Sequence, residues 1–368
     1  MITYCTNIHP GESWEETFNA LRRHLPPITS EFSPAEPFPV GLRLSCRAAS
    51  DLDDDSESRF LEWLQHNGLF VPTINGFPYG PFHTTRLKEQ VYLPDWRQSE
   101  RVEYTVRLAT LLDRWLPAGM PGSISTVPVA FGRCLPEQEM EIIRINLLRT
   151  LEHLDHLRQK SGKAIMLSLE PEPGCLLETT GDVITFFERM NFPDELRSTL
   201  GVCLDCCHQA VEFETPAECL SNLAVAGIGI GKVQVSSALR MIDPERTLLE
   251  GFCEPTYLHQ TVIRGEDGML RHYDDLPRAL RDHPPGRGEE WRIHFHVPIF
   301  VERMPLYGTT RYFVDNLLPV LDETVLLEVE TYTWDVLPPE LRTDTIEHSI
   351  LRELRWLKGQ RHETNRCP

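Results

Sequence analysis

Positive charge is scarce in this chain: 36 Lys and Arg stand against 55 Asp and Glu in 368 residues, a net charge of −19. Binding to nucleic-acid phosphates needs a basic face, so that class of partner is excluded. No run of about 18 apolar residues occurs, and Met1-Ile2-Thr3-Tyr4-Cys5 has neither a basic start nor an apolar signal core. The expectation is a cytoplasmic protein with no membrane insertion. Cys203, Cys206 and Cys207 look like half a zinc site, but no second Cys-x-x-Cys pair answers them. The ten cysteines therefore read as reduced core residues rather than disulfides or structural zinc ligands. Thr6-Asn7-Ile8-His9-Pro10-Gly11 is not the Gly-rich phosphate turn that a doubly wound open sheet needs after its first strand. No internal repeat is visible.

What is present is an ordinary globular composition, 41% hydrophobic and 25% charged, enough for a sizeable core. Short β-rich apolar runs alternate with longer helix-period runs, the mark of a parallel sheet with crossover helices. Candidate strands are 2–6, 39–45, 69–74, 122–129, 164–170, 200–205, 230–236, 292–298 and 324–330. Helices are expected over Trp14 to Leu25, where Ser13 and Glu16 have capping-box spacing, and near 99–116, 138–160, 181–191, 216–226, 311–322 and 343–358. Nine strands exceed by one what a closed eight-stranded barrel needs. The surplus falls in a segment of about 240–300, which holds a hairpin from Tyr257 to Tyr273 with its turn at Gly265-Glu266-Asp267-Gly268. The expected architecture is one TIM (β/α)8 barrel over residues 1–368, with a long insertion after strand seven lying over the C-terminal face as a lid.

Barrel enzymes carry their chemistry at the C-terminal ends of strands, so a carboxylate that ends an apolar run is a site candidate. Ile165–Leu169 runs into Glu170-Pro171-Glu172, and Val202-Cys203-Leu204 runs into Asp205 with His208 three residues on. Gln234 lies late in Lys232–Ser236, and Val325-Leu326-Leu327 runs into Glu328-Val329-Glu330-Thr331. Three carboxylates and an amide oxygen at one mouth form a hard-donor site suited to Mg²⁺ or Mn²⁺, with Zn²⁺ the alternative. Each residue taken singly could instead be a solvated strand-end carboxylate or an ion-pair partner.

The order Glu-Pro, Leu-Asp-x-x-His, x-Val-Gln-Val and Glu-Thr resembles the xylose-isomerase-like sugar isomerases and epimerases, especially hydroxypyruvate isomerases, where a Gln takes the third position. The resemblance implies that Glu170, Asp205, Gln234 and Glu330 are metal ligands and that Glu170 and Glu330 are the catalytic acid and base. It makes His208 a substrate-binding or ligand-supporting residue. Glu172 and Glu328, two residues away on the same faces, are alternatives to their neighbours. Thr3–Trp14, Thr73–His83 and Leu327–Trp334 are also similar to the EboE group of bacterial TIM-barrel proteins, which belong to a metabolite traffic system, the Ebo system. That likeness implies a small-molecule metabolite and other Ebo-system proteins as partners. Lys232, standing where that pattern often has a His, and the long insertion depart from the isomerases.

Further polar residues fall near the mouth. His294 and His296 alternate onto one face and could be ligands, substrate donors or satisfied core histidines; His9, Asn75 and His83 are candidate substrate contacts. Arg43 and Lys88 would suit an anionic oxygen or phosphate. Phe77, Tyr79, Phe82 and Trp334 pack or wall a pocket. Two functions compete: metal-dependent isomerisation or epimerisation of a hydroxy-carbonyl metabolite, and a non-catalytic carrier barrel that assists export of a precursor. Metal-dependent nucleic-acid hydrolysis would need more zinc-binding histidines and a basic groove.

Overall fold

The computed structural model describes residues 1–83, 87–342 and 344–364, with side chains to residue 362. Its strands are β1 (Ile2–Tyr4), β2 (Phe38–Arg43), β3 (Leu69–Asn75), β4 (Gly122–Thr126), β5 (Ile165–Leu169), β6 (Leu200–Asp205) and β7 (Gly229–Val235). They continue with β8 (Leu239–Ile242), β9 (Thr261–Arg264), β10 (Leu270–Tyr273), β11 (Glu290–Ile293), β12 (Gly308–Thr309) and β13 (Leu327–Val329). Eight of them form one parallel sheet in the order β1-β13-β7-β6-β5-β4-β3-β2. A parallel bridge from Cys5 to Gly41 joins β1 to β2 and closes the barrel. Gly41 is needed there: a Cβ would stand 2.0 Å from Glu328 Oε1 and 2.6 Å from the carbonyl oxygen of Tyr4.

The helices form where the apolar period required them. Ser13 and Glu16 make the expected reciprocal cap on Trp14–Phe32. That helix runs past the expected end at Leu25 and through Pro26-Pro27, because Ile28 continues the buried stripe of Leu21 and Leu25. Asp54–His66, capped by Asp53 and Ser56, escaped the sequence reading. The last helix spans Ile346–Thr364; Thr343, where the expected helix began, lies outside the described residues.

The surplus candidate strand, 292–298, is not a barrel strand. Only Glu290–Ile293 is extended in a ladder, and it pairs antiparallel with β8 and β9 in a second sheet of order β10-β9-β11-β8-β12. This sheet lies in sequence between β7 and β13, and the hairpin β9–β10 turns at Gly265–Gly268 as its residues require. After Ile293 the chain leaves the ladder: the N–H of His294 goes to Gln260 and that of Val297 to Ser237, which carries His294 and His296 to the barrel mouth. Leu239, Met241, Ile263, Trp291 and Ile293 belong to the same apolar cluster as the barrel residues.

Candidate metal centre

Side chains alternate along a strand, so residues two apart point the same way at different depths. Lys232 with Gln234 on β7, and Glu328 with Glu330 on and after β13, therefore make two layers inside the barrel. In the lower layer, Lys232 Nζ pairs with Glu328, both wholly buried. Against the cost of burial, Glu328 keeps the lysine charged and raises its pKa. In the upper layer, Glu170, Asp205 and Glu330 place carboxylate oxygens within 4.8 Å of one another, all buried. Burial pushes the Glu170 carboxyl well above the usual range, and Glu330 and Asp205 push it further. Glu330 is raised likewise, by burial first and then by Asp205 and Glu328.

The layering separates the alternatives. Glu328 belongs to Lys232, and Glu172 Oε1 accepts from Tyr92 Oη at 2.7 Å and Gln260 Nε2 at 3.0 Å, so Glu170 and Glu330 are the pair in the carboxylate cluster. Glu330 Oε1 accepts from three amides: Asn7 at 2.8 Å, Gln234 at 2.8 Å and Asn75 at 3.2 Å. Gln234 thus stands in the cluster, but with its NH2 toward Glu330 and its Oε1 accepting from the Cys203 thiol at 3.3 Å. In this arrangement the residue expected as an oxygen ligand is an amide donor that holds the neighbouring carboxylate in place. Asn75, expected to touch substrate, does the same while also lining the cavity.

Above the carboxylates lie three histidines. His208 Nδ1 donates to the Pro171 carbonyl at 2.9 Å, its Nε2 is 3.1 Å from His294 Nε2, and its backbone N–H bonds Asp205 Oδ1 at 2.9 Å. His294 Nδ1 meets Gln260 Oε1 at 2.8 Å, and His296 Nδ1 donates to the Glu330 carbonyl at 2.9 Å. Burial lowers the basicity of both rings, that of His296 to about 4. Glu170 Oε2, Asp205 Oδ2 and His296 Nε2 are buried with no hydrogen-bond partner.

Two other expectations are corrected. His9 does not line this cavity; its ring stacks on His24 with centroids 4.1 Å apart and bonds Tyr4 Oη at 3.0 Å, because the turn after β1 faces the surrounding helices. His83 is spent between the Asn7 carbonyl and Tyr257 Oη, the latter at 3.0 Å, tying the early loop to the inserted segment. Lys88 Nζ is held by Asp275 at 2.7 Å and by the carbonyl of Tyr257, while Arg43 is held by Glu12, Gly11 and Gly80. Neither is left for a phosphate. Asn7 is legible in the sequence only as a polar residue after the first strand, not as a carboxylate holder; Tyr92, Gln260 and Tyr332 are cavity residues that no local signal marks, since each acts across a long chain separation. Phe77, Phe82, Tyr92, Tyr257 and Tyr332 wall the cavity. The nine described cysteines are free thiols, and no helix among the described residues is long and apolar enough to cross a membrane.

No protein-family model matches the chain, and no curated protein matches it. Solved structures do. The IolI protein with a bound zinc atom is 14% identical, with a TM-score of 0.52, over 99% of this chain and 98% of that one. A xylose isomerase-like TIM barrel protein from Mycobacterium smegmatis in complex with magnesium is 12% identical, with a TM-score of 0.55, over 99% and 97%. D-psicose 3-epimerase from Clostridium cellulolyticum H10, crystallised with D-tagatose, is 12% identical, with a TM-score of 0.52, over 100% and 99%. At these identities the likeness establishes the fold, a TIM barrel like those of the xylose-isomerase-like proteins.

Proposed function

We propose that the chain is a metal-dependent sugar isomerase or epimerase that moves a proton between neighbouring carbons of a small hydroxy-carbonyl metabolite. The observation that carries this function is the buried cluster of Glu170, Asp205 and Glu330, whose nearest buried cation, Lys232, is already paired with Glu328. Three carboxylates so placed repel one another, and a divalent cation resolves that repulsion. Glu170, Asp205 and Glu330 would hold it, with Mg²⁺ or Mn²⁺ favoured by the oxygen donors. When bound, such an ion polarises adjacent substrate oxygens. Glu170 and Glu330 are assigned the proton transfers: both carboxyls lie in the cluster at the cavity wall, and burial raises both above the usual carboxylate range. Asn7, Asn75 and Gln234 fix Glu330 through one oxygen, and His208 and His294 face the cavity as partners for substrate hydroxyls.

The inserted segment contributes Tyr257, Leu258 and His294 to the cavity wall, so we treat the chain as one domain whose segment 239–309 covers the barrel mouth and excludes water. Lys88, the cation that lines the cavity among the described residues, is paired with Asp275. A place in an Ebo-type metabolite traffic system, with other Ebo proteins as partners, remains part of the proposal through the sequence resemblance alone.

The test is proton exchange. Metal-loaded protein is incubated in D2O with a panel of ketoses, and deuterium at the carbon beside the carbonyl is followed by NMR. Incorporation is expected, falling at least about 100-fold in Glu170→Gln and Glu330→Gln. Tight ketose binding with no deuterium incorporated would favour a non-catalytic carrier.

A further inference from the structure

We propose that His296, brought in by the inserted segment, is a direct metal ligand, its Nε2 joining Glu170, Asp205 and Glu330 as a fourth donor. It rests on the metal-centre reading above and extends it by taking a ligand from outside the eight-stranded barrel.

The tautomer comes first. His296 is wholly buried, and the partner of its Nδ1, the Glu330 carbonyl oxygen at 2.9 Å, can only accept. The proton therefore sits on Nδ1, and Nε2 presents a lone pair. That lone pair has no partner, and neither do Asp205 Oδ2 and Glu170 Oε2 in the carboxylate cluster. Leaving a buried polar atom without a partner is costly. One cation placed among them would engage all three.

Position agrees with this. Ligand atoms of His296, Asp205 and His208 lie within 4.8 Å of one another, and Asp205 is shared with the Glu170–Asp205–Glu330 cluster. A ring N–H anchored on a backbone carbonyl is the usual support of a metal-binding imidazole, fixing both tautomer and direction. The anchor is the backbone of Glu330 itself, so the imidazole and a carboxylate ligand are set by one peptide unit. Strand β7 does not compete for the position, since the Gln234 amide is engaged by Glu330 and Cys203. A mixed imidazole–carboxylate set binds Zn²⁺ and Mn²⁺ in preference to Mg²⁺, whereas oxygen donors alone would not make that distinction.

Pulsed EPR of the full chain, stripped with a chelator and reloaded with Mn²⁺, reads the proposed bond directly. Electron spin echo modulation from a bound ¹⁴N is expected in the wild type, lost in His296→Gln and kept in His294→Gln. Chelator competition should show Zn²⁺ affinity falling at least about tenfold in His296→Gln, with Mg²⁺ affinity changed less than about threefold. A wild-type Mn²⁺ spectrum without ¹⁴N coupling overturns the proposal, and needs no variant to fold. So does coupling that survives in His296→Gln, or an unchanged Zn²⁺ affinity. Wild-type protein that takes up no stoichiometric ion at all overturns both this assignment and the metal centre beneath it, whereas uptake without nitrogen coupling spares the centre.

Discussion

The Nε2 atoms of His208 and His294 face each other at 3.1 Å while each ring has its Nδ1 committed to an oxygen, Pro171 O in one case and Gln260 Oε1 in the other. Gln260 gives its NH2 to Tyr92 and Glu172, so its oxygen is the end facing His294. Two neutral rings held this way would set lone pair against lone pair. Tyr332 Oη, 3.3 Å from the same His294 Nε2, is the hydroxyl placed to donate into this contact.

Metal loading should therefore release protons. The carboxyls of Glu170 and Glu330 are raised, so below their raised values they hold protons that an ion must displace. Affinity is expected to rise with pH, about tenfold per unit for each proton displaced. Calorimetry over a series of pH values, in two buffers of different ionisation enthalpy at each, counts the protons. A buffer-independent heat would contradict the assignment of protonated groups in the empty cluster.

Asp205→Asn and Glu172→Gln should separate ligand from neighbour. Asp205 has an unpartnered buried oxygen in the cluster, while Glu172 is satisfied by Tyr92 and Gln260. Divalent-metal affinity is expected to fall at least about 100-fold in the first and less than about threefold in the second. Equal losses by calorimetry would move the site up to Glu172, His208 and His294, which also bring ligand atoms within 4.8 Å.

Lys232→Met leaves Glu328 wholly buried without its cation, over a Gly41 position that has no room to relax. A loss of about 3–5 kcal/mol is expected in urea unfolding, and Lys232→Met combined with Glu328→Leu should recover most of it. A single variant as stable as the wild type would show that the pair is not what holds the lower layer.

Glu353 gives a pH dependence away from the metal centre. Its carboxylate accepts from Ile299 N at 3.0 Å and Thr331 Oγ1 at 2.7 Å, tying the last helix to the inserted segment and to the end of β13. Burial raises its pKa from 4.5 to about 7. Between those values the folded state binds the proton more tightly than the unfolded state, so this group's contribution to stability falls as pH rises from 4.5 to 7. Both bonds end on one oxygen, so Glu353→Gln keeps them and removes the titration. At pH 8 the variant should be more stable by about 1–3 kcal/mol, with no gain at pH 4.5. Parallel melting curves across pH would refute this.

The sequence by itself determined the barrel and the layer of strand ends that carries the chemistry. Alternating β-rich and helix-period runs leave few ways to bury both, and Glu170 and Asp205 stood out because a carboxylate that ends an apolar strand must face either solvent or a site. It also marked the insertion, since the turn at Gly265–Gly268 needs no distant partner to form. Depth was beyond its reach. A period of two puts Glu328 and Glu330 on one face, and only the register of β13 against β7, pairing Glu328 with Gln234, decides which reaches the mouth. Long-range pairing was also decided in three dimensions: Asn7 reaches Glu330 across 323 positions, and Lys88 reaches Asp275 across 187. Such pairings hold Lys88 on Asp275 and Arg43 on Glu12, turn the Gln234 amide to Glu330 and set His296 against the Glu330 carbonyl. Local pattern encodes which face a side chain occupies, whereas height in the barrel and identity of the partner come from how distant strands pair.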